Sequence, residues 1–385
     1  MAVLDQPGAG TLPHLVASPP GTGGEASPLP DRVLMKGNEA IAEAAIAAGC
    51  DAYFGYPITP QAELLEWMAR RMPEEGRTYV QAESELGAIN MALGAAAVGA
   101  RVLVSSSSPG ISLMAEAMSY MAGSRLPMVL VNVMRGGPGL GSIGAAQGDY
   151  LQATKGHGHG DYRVPVLAPS SIAEAIELVG DAFVLAERYR TPVILLADGI
   201  LGQAMEPVKP DFRSVERLPA PDWVLEGAAG RDPRAIKSLD LRPEDLERHN
   251  LVLQAVYAEI TAREQRWAGE SLDGAEVVVV AYGTAARIAR TAVERAREGG
   301  LRAGLFRPIT LWPFPAQALR DAARDARAVL SVEMSAGQMV EDVRLSIEGV
   351  VPVYHHGRMG GMVPTPDEVV DAMRRAWSTS DGGAS

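Results

Sequence analysis

Pro127-Met128-Val129-Leu130-Val131-Asn132-Val133-Met134 runs directly into Arg135-Gly136-Gly137-Pro138-Gly139-Leu140-Gly141. A near-continuous apolar run that stops at a glycine-rich turn describes a strand covered on both faces. Segments 101–105 and 192–197 have the same character, and around them lie Ala-, Glu- and Met-rich helical patterns at 38–48, 60–72, 85–98, 112–123 and 172–189. Buried strands separated by helices predict an α/β unit built on a parallel sheet. From 211 the pattern breaks into scattered proline and charge, followed by one long charged helix near 243–266. A second α/β unit follows, with strands at 277–281, 303–306, 328–332 and 351–354 and helices at 285–298, 315–326, 339–347 and 367–377. The expected division is a disordered tail over 1–31, a first domain over 32–210, a linker with a bridging helix over 211–273, a second domain over 274–378 and a short tail over 379–385.

The net charge of −12 repels polyanions and sets nucleic acid aside as a partner. Cys50 is the one cysteine among 385 residues, so no internal disulfide and no cysteine-ligated iron–sulfur cluster or zinc site belongs to this chain alone. Its Ala and Gly neighbours mark it as small core filler. No apolar run approaches the roughly 20 residues of a membrane helix. The start lacks the basic and apolar regions of a secretory signal, and the expected location is the cytoplasm.

Four segments have residue types suited to chemistry. In Gly55-Tyr56-Pro57-Ile58-Thr59-Pro60 two prolines stiffen the backbone; Thr59 fits an N-cap and Pro60 a first helical position, a place suited to a carboxylate. The plain alternative is a strand-to-helix turn. In Gln81-Ala82-Glu83-Ser84-Glu85-Leu86-Gly87-Ala88 an acid opens a small-faced helix. Glu83 and Glu85 are either solvated capping acids or, for one of them, a buried carboxylic acid able to bond a heterocycle. The strand-end loops Ser105-Ser106-Ser107-Ser108-Pro109-Gly110 and 135–141 lie where open parallel sheets bind ligands. Pro138 inside the second loop, with no clear helix after it, weakens a dinucleotide fingerprint and with it a nicotinamide-dependent dehydrogenase. Arg135 suits a two-pronged carboxylate contact or a structural ion pair. His157 and His159, in a Gly-His-Gly-His-Gly loop, and His355-His356 come with no accompanying ligand set, and no metal site is expected.

Taken together, Lys36-Gly37-Asn38-Glu39-Ala40, Tyr56-Pro57-Ile58-Thr59-Pro60, Glu85-Leu86-Gly87-Ala88, Arg135-Gly136-Gly137-Pro138 and Val332-Glu333-Met334-Ser335-Ala336-Gly337-Gln338 resemble the alpha subunit of 2-oxoacid:ferredoxin oxidoreductases. With Gln147-Gly148-Asp149-Tyr150 they are most similar to the branched-chain (3-methyl-2-oxobutanoate) type, the 2-oxoglutarate type being the alternative. The resemblance implies a thiamine diphosphate (TPP) pyrimidine-binding domain followed by a transketolase C-terminal-like domain. It implies that Glu85 hydrogen-bonds the cofactor's aminopyrimidine, that Thr59 and Arg135 with Tyr56, Pro57, Ile58 and Pro60 hold the 2-oxoacid, and that Ser108, Pro109 and Gly110 line the cofactor. It further implies a hetero-oligomer that uses CoA. A beta subunit would hold the diphosphate and Mg2+, and [4Fe-4S] clusters would lie on partners, with a gamma subunit and a ferredoxin-like delta subunit or ferredoxin completing the assembly. The serine run 105–108 and the doublet His355-His356 depart from the family pattern. A fold kept without its chemistry, as in an assembly protein, is disfavoured by the intact Glu85.

Overall fold

A computed structural model describes residues 32–210, 212–218 and 222–381. The tail expected over 1–31 lies outside the described residues. The strands, in chain order, are β1 (Val33–Lys36), β2 (Ala52–Gly55), β3 (Thr78–Gln81), β4 (Val102–Ser106), β5 (Met128–Met134), β6 (Val166–Leu167), β7 (Pro192–Asp198) and β8 (Met205–Val208), then β9 (Trp267–Glu270), β10 (Val277–Val280), β11 (Ala303–Pro308), β12 (Thr310–Trp312), β13 (Ala328–Glu333) and β14 (Val353–Gly357). The first sheet has the order β12-β6-β7-β5-β4-β2-β3, parallel except for the β12 edge. β5 and β7 are its central pair and are buried along their whole length, as their unbroken apolar sequence requires. The helix Ile172–Tyr189 spans the predicted residues; Ser171 Oγ accepts from Glu174 N at 3.2 Å to start it, and Arg190 ends it in the left-handed region at φ 52°.

The second sheet has the order β14-β13-β10-β11-β9, parallel except for β9. β9 is reached from the connector, after the bridging helix Pro243–Arg263, and β12 returns from the second unit to the first sheet. The two units are therefore interlocked, each taking an edge strand from chain expected to lie outside it. The bridging helix lies on the first unit, where His249 Nε2 meets Gly123 O at 2.6 Å and Gln254 Nε2 donates to Asp161 O at 2.7 Å. The last helix, Pro366–Asp381, takes in residues 379–381 that were read as tail, and in its final turns the Ser378 and Thr379 hydroxyls bond back to Arg375 O at 3.0 and 2.8 Å. Cys50 is fully buried, and burial pushes its thiol up to about 12.

The carboxyl ends of both sheets face each other. Asp198, closing β7, accepts from Thr284 N at 3.1 Å and Thr284 Oγ1 at 2.7 Å at the start of the helix Gly283–Glu298. It also accepts from Ile200 N and Leu201 N. Gln147 is fully buried between the units, donating to Tyr282 O at 2.9 Å and accepting from Met334 N at 3.0 Å. Within the second unit Glu333 accepts from Gln338, Met339 and Val340 N–H groups at 2.8–2.9 Å, at the start of the helix Met339–Ile347. Both helix starts are thus occupied by the protein's own carboxylates.

Candidate active site

The segment Tyr56–Pro60 leaves the end of β2 and is gripped from three sides. From beneath, Tyr53 OH lies 2.7 Å from Ser105 Oγ, which donates to Gln61 Oε1 at 2.6 Å; Gln61 Nε2 in turn donates to Tyr56 O at 3.4 Å. On one flank Asn38 Nδ2 and Gln203 Nε2 both donate to Pro60 O at 2.8 Å, and both also bond Glu63, which Lys36 Nζ meets at 2.8 Å. Burial works against the Glu63 carboxylate, but hydrogen bonds from Lys36, Asn38 and Gln203 outweigh it and hold it down at about 2. On the other flank Arg135 Nη1 donates to Thr59 O at 2.9 Å.

Thr59 is not the N-cap expected of it. Thr59 and Pro60 form a separate turn closed by Gln61 N donating to Ile58 O at 3.2 Å, with a cis Thr59–Pro60 peptide, and the helix begins only at Ala62. No helix N-terminus therefore points from this motif. Instead Tyr56, Pro57 and Thr59 are exposed over the strand ends, Ile58 is half-buried, and Pro60 is buried as the anchor.

Glu85 opens the helix Glu85–Ala97, with Ser84 Oγ capping Gly87 N at 3.0 Å. Of the two acids, Glu83 is exposed and Glu85 only 6% exposed. The Glu85 carboxyl has no hydrogen-bond partner among the described residues; it lies against Gly110, where an added methyl would fall 2.6 Å from Glu85 Oε1 and overlap Ser106 Oγ. The segment 105–110, expected as a loop, becomes helical from Ser108 in the short helix Ser108–Leu113, because Pro109 is pre-set for a first turn. That turn brings Gly110 onto Glu85.

Ser108 Oγ donates to Asp149 Oδ2 at 2.6 Å and accepts from Arg135 N at 3.0 Å, while Asn132 Nδ2 donates to the same Asp149 oxygen at 2.9 Å. Burial raises the Asp149 carboxyl, partly offset by the Ser108 and Asn132 bonds. Arg135, 8% exposed, spends one N–H on Thr59 O and one on Leu140 O at 3.1 Å, and its Nε is buried without a partner. The structure thus brings together Thr59, Arg135, Ser108, Gly110 and Glu85. The glycine-rich loop after Arg135 opens no helix until Tyr150, so the geometry of a dinucleotide fingerprint is missing.

The histidines take no part in this cluster. His157 is buried, and burial lowers it to about 4. His355 and His356 sit on β14 at the edge of the second sheet, with His355 Nε2 3.8 Å from Glu333 Oε1. A cavity of about 510 Å³ opens at the opposite, amino ends of β4 and β5, lined by Val98, Arg101, Phe183 and Trp223. Arg101 there is committed to Glu187 and to the carbonyls of Ala48, Val215 and Glu216.

Sequence reasoning passed over Asn132 and Asp198, and named no individual role for Ser106, Gln61 or Asp149. A polar residue inside an apolar strand, as Asn132 is, and an Asp before a helix-starting Gly, as Asp198 is, were available signals.

Residues 43–226 match the family model described as pyruvate flavodoxin/ferredoxin oxidoreductase, thiamine diphosphate-binding, and residues 275–369 match pyruvate:ferredoxin oxidoreductase core domain II. Ketoisovalerate oxidoreductase subunit VorB of Methanothermobacter thermautotrophicus is 48% identical over 90% of this chain and 99% of its own. The 2-oxoglutarate synthase subunit KorA of the same organism is 35% identical over 89% of this chain and 98% of its own. The structure of 2-oxoglutarate:ferredoxin oxidoreductase from Magnetococcus marinus, with 2-oxoglutarate, coenzyme A and succinyl-CoA bound, matches with a TM-score of 0.81 at 26% identity; the match covers 90% of this chain and 65% of that one. A split-gene transketolase shares the fold, with a TM-score of 0.58 at 17% identity. The expected pairing of a TPP pyrimidine-binding-type unit with a transketolase-like unit is what the two sheets and these matches show. This chain belongs to the 2-oxoacid:ferredoxin oxidoreductase family, as a subunit carrying its thiamine diphosphate-binding domain.

Proposed function

We propose that this chain is the alpha-type subunit that supplies Glu85, Thr59 and Arg135 to the oxidative decarboxylation of 3-methyl-2-oxobutanoate, with CoA and oxidised ferredoxin, to acyl-CoA, CO2 and reduced ferredoxin. The observation that carries the reading is the buried, unpartnered Glu85 carboxyl facing a cradle that only a glycine at 110 leaves open. That cradle suits a flat heterocycle with a ring nitrogen, so the residues fit TPP, and Glu85 would hold a proton shared with that nitrogen. When bound, TPP supplies the electron sink for loss of CO2 from a 2-oxoacid.

Arg135 has its plane fixed by Thr59 O and Leu140 O, which leaves its remaining N–H groups and its charge for the substrate carboxylate. The exposed Thr59 hydroxyl would take the carbonyl, and Tyr56, Pro57 and Ile58 would wall the site off from water. The loop that Arg135 holds carries Leu140 and Ile143 outward and has no Lys, Arg or His between 136 and 149, which supports an apolar substrate tail over a second carboxylate. With Cys50 alone, buried, the chain holds no cluster of its own. The [4Fe-4S] centres, the diphosphate and Mg2+ would lie on a beta subunit and a ferredoxin-like delta subunit, with a gamma subunit completing a cytoplasmic complex. Among the described residues no helix is long and apolar enough to cross a membrane.

The test is the native complex assayed with a panel of 2-oxoacids, CoA and a low-potential dye. Preference for 3-methyl-2-oxobutanoate is expected. No CoA-dependent reduction with any 2-oxoacid would overturn the activity, whereas preference for 2-oxoglutarate would overturn only the substrate.

A further inference from the structure

The four consecutive serines divide by what their hydroxyls meet. Ser105 Oγ is held between Tyr53 and Gln61, and Ser108 Oγ between Asp149 and Arg135. Ser106 Oγ and Ser107 Oγ are fully buried and have no hydrogen-bond partner among the described residues. A buried hydroxyl left unpaired is unfavourable, and native proteins keep few of them. Ser106 Oγ, at the end of β4, converges with Glu85 Oε1, at the start of the helix Glu85–Ala97, on the one point above Gly110 where a methyl group cannot sit.

We propose that Ser106 is the positioning residue of Glu85: unbonded to it in this structure but beside it above Gly110, its hydroxyl would donate to the Oε1 side of the carboxyl once the cofactor's ring engages the other oxygen. The proposal rests on the reading of Glu85 as the acid on the cofactor, and goes beyond it by naming what orients that acid. A glutamate carboxyl turns almost freely about its last torsion. Glu85 has no protein hydrogen bond to stop that rotation, and Ser106 is the unpaired donor beside it. A donor to a carboxylate also favours its charged form, so the same hydrogen bond sets how far a shared proton leans toward the ring. Gly110 completes the device by leaving room for both groups. The serine run, unexpected in the sequence, thus splits into two structural hydroxyls, one functional hydroxyl and Ser107 at the N-cap of the helix Ser108–Leu113.

The experiment uses the complete hetero-oligomeric enzyme carrying Ser106→Ala, Ser106→Cys, Ser107→Ala, Glu85→Gln, or Ser106→Ala with Glu85→Gln. Each is read by the TPP dissociation constant from calorimetry, the near-ultraviolet circular dichroism of bound TPP, and the rate–pH profile. In Ser106→Ala we expect TPP binding within a few-fold of the parent, a roughly tenfold fall in kcat with KM little changed, an acid limb raised by about one pH unit, and an altered dichroism band. Ser106→Cys, isosteric but a weak donor, falls between parent and Ala; Ser107→Ala behaves as the parent. Adding Ser106→Ala to Glu85→Gln should change nothing further, because the two act as one unit. An unmoved limb and dichroism in Ser106→Ala, beside a disabled Glu85→Gln, overturns the proposal alone. The same shift in Ser107→Ala overturns it as mere repacking. Normal turnover in Glu85→Gln overturns the reading of Glu85 and the proposal with it.

Discussion

Glu85 shows how little a residue's type says about its work. Placed first in a helix behind a serine cap, it has the sequence surroundings of an ordinary dipole-stabilising acid, and so does Glu83 two positions earlier. Only Glu85 turns inward, onto Gly110. Replacing its carboxyl by an amide keeps the shape and removes the titratable proton. Glu85→Gln in the assembled enzyme should therefore lower kcat by ~10²–10⁴-fold while the melting temperature stays close to that of the parent. Steady-state assays beside a thermal melt check both halves. A variant that unfolds, or one that turns over normally, would remove Glu85 from the chemistry.

At the scale of elements, Tyr56–Pro60 is held as a unit by groups that belong to other elements. Lys36, Asn38 and Gln203 converge with Glu63 beside Pro60 O, so the Lys36-Gly37-Asn38 motif serves the Tyr-Pro-Ile-Thr-Pro motif. Because Glu63 is held at about 2 when folded against 4.5 otherwise, its contribution to stability is fully present above about pH 4.5 and is lost as pH falls toward 2. Urea denaturation of the complex across this range should show a decline that is shallower in Glu63→Gln, which has nothing to protonate. An equal decline in both proteins would show that Glu63 is not the linked group. His157 adds a separate decline, beginning at 6.5 and running toward 4, since the unfolded chain binds a proton there that the buried ring refuses.

For the molecule as a whole, one apolar cluster runs from the first sheet into the second unit, and polar side chains join the two sheets at their carboxyl ends. Gln147 bonds both the Tyr282 carbonyl and the Met334 amide, Tyr150 OH donates to Asp342 Oδ2 at 2.6 Å, and Asp198 takes Thr284. The neighbouring Asp149 faces the other way, onto Ser108 and Asn132. One four-residue motif, Gln147-Gly148-Asp149-Tyr150, therefore couples the second unit to the half-site. Gln147→Ala leaves the buried Met334 N–H unpaired, costing roughly 1–3 kcal/mol, whereas Tyr282 O still accepts from Ala286 N at 3.2 Å. We expect a loss of about 1–3 kcal/mol in chemical denaturation, together with a rise in KM, since the Asp149–Ser108–Arg135 network loses its backing. A loss within 0.5 kcal/mol, the usual scatter of surface substitutions, would mean that the units hold together without it.

By itself the sequence determined the α/β class, the central strands β5 and β7, the helix Ile172–Tyr189 and the set of motifs that mark the family. These depend on periodicity and propensity between residues close along the chain. It left unseen the short strands β1, β2, β3, β6, β8, β9 and β12, two to four residues each, several of them half-exposed and too brief to show a period. Residue type and spacing, apart from the family resemblance, also could not separate Ser106 from Ser108, or Glu85 from Glu83, which differ in nothing but what approaches them. Those approaches come from far along the chain: 41 residues between Ser108 and Asp149, 76 between Thr59 and Arg135, and 187 between Gln147 and Met334. Tertiary structure alone decided which hydroxyl is spent and which is free, because a hydrogen bond forms only where packing brings its two ends within reach.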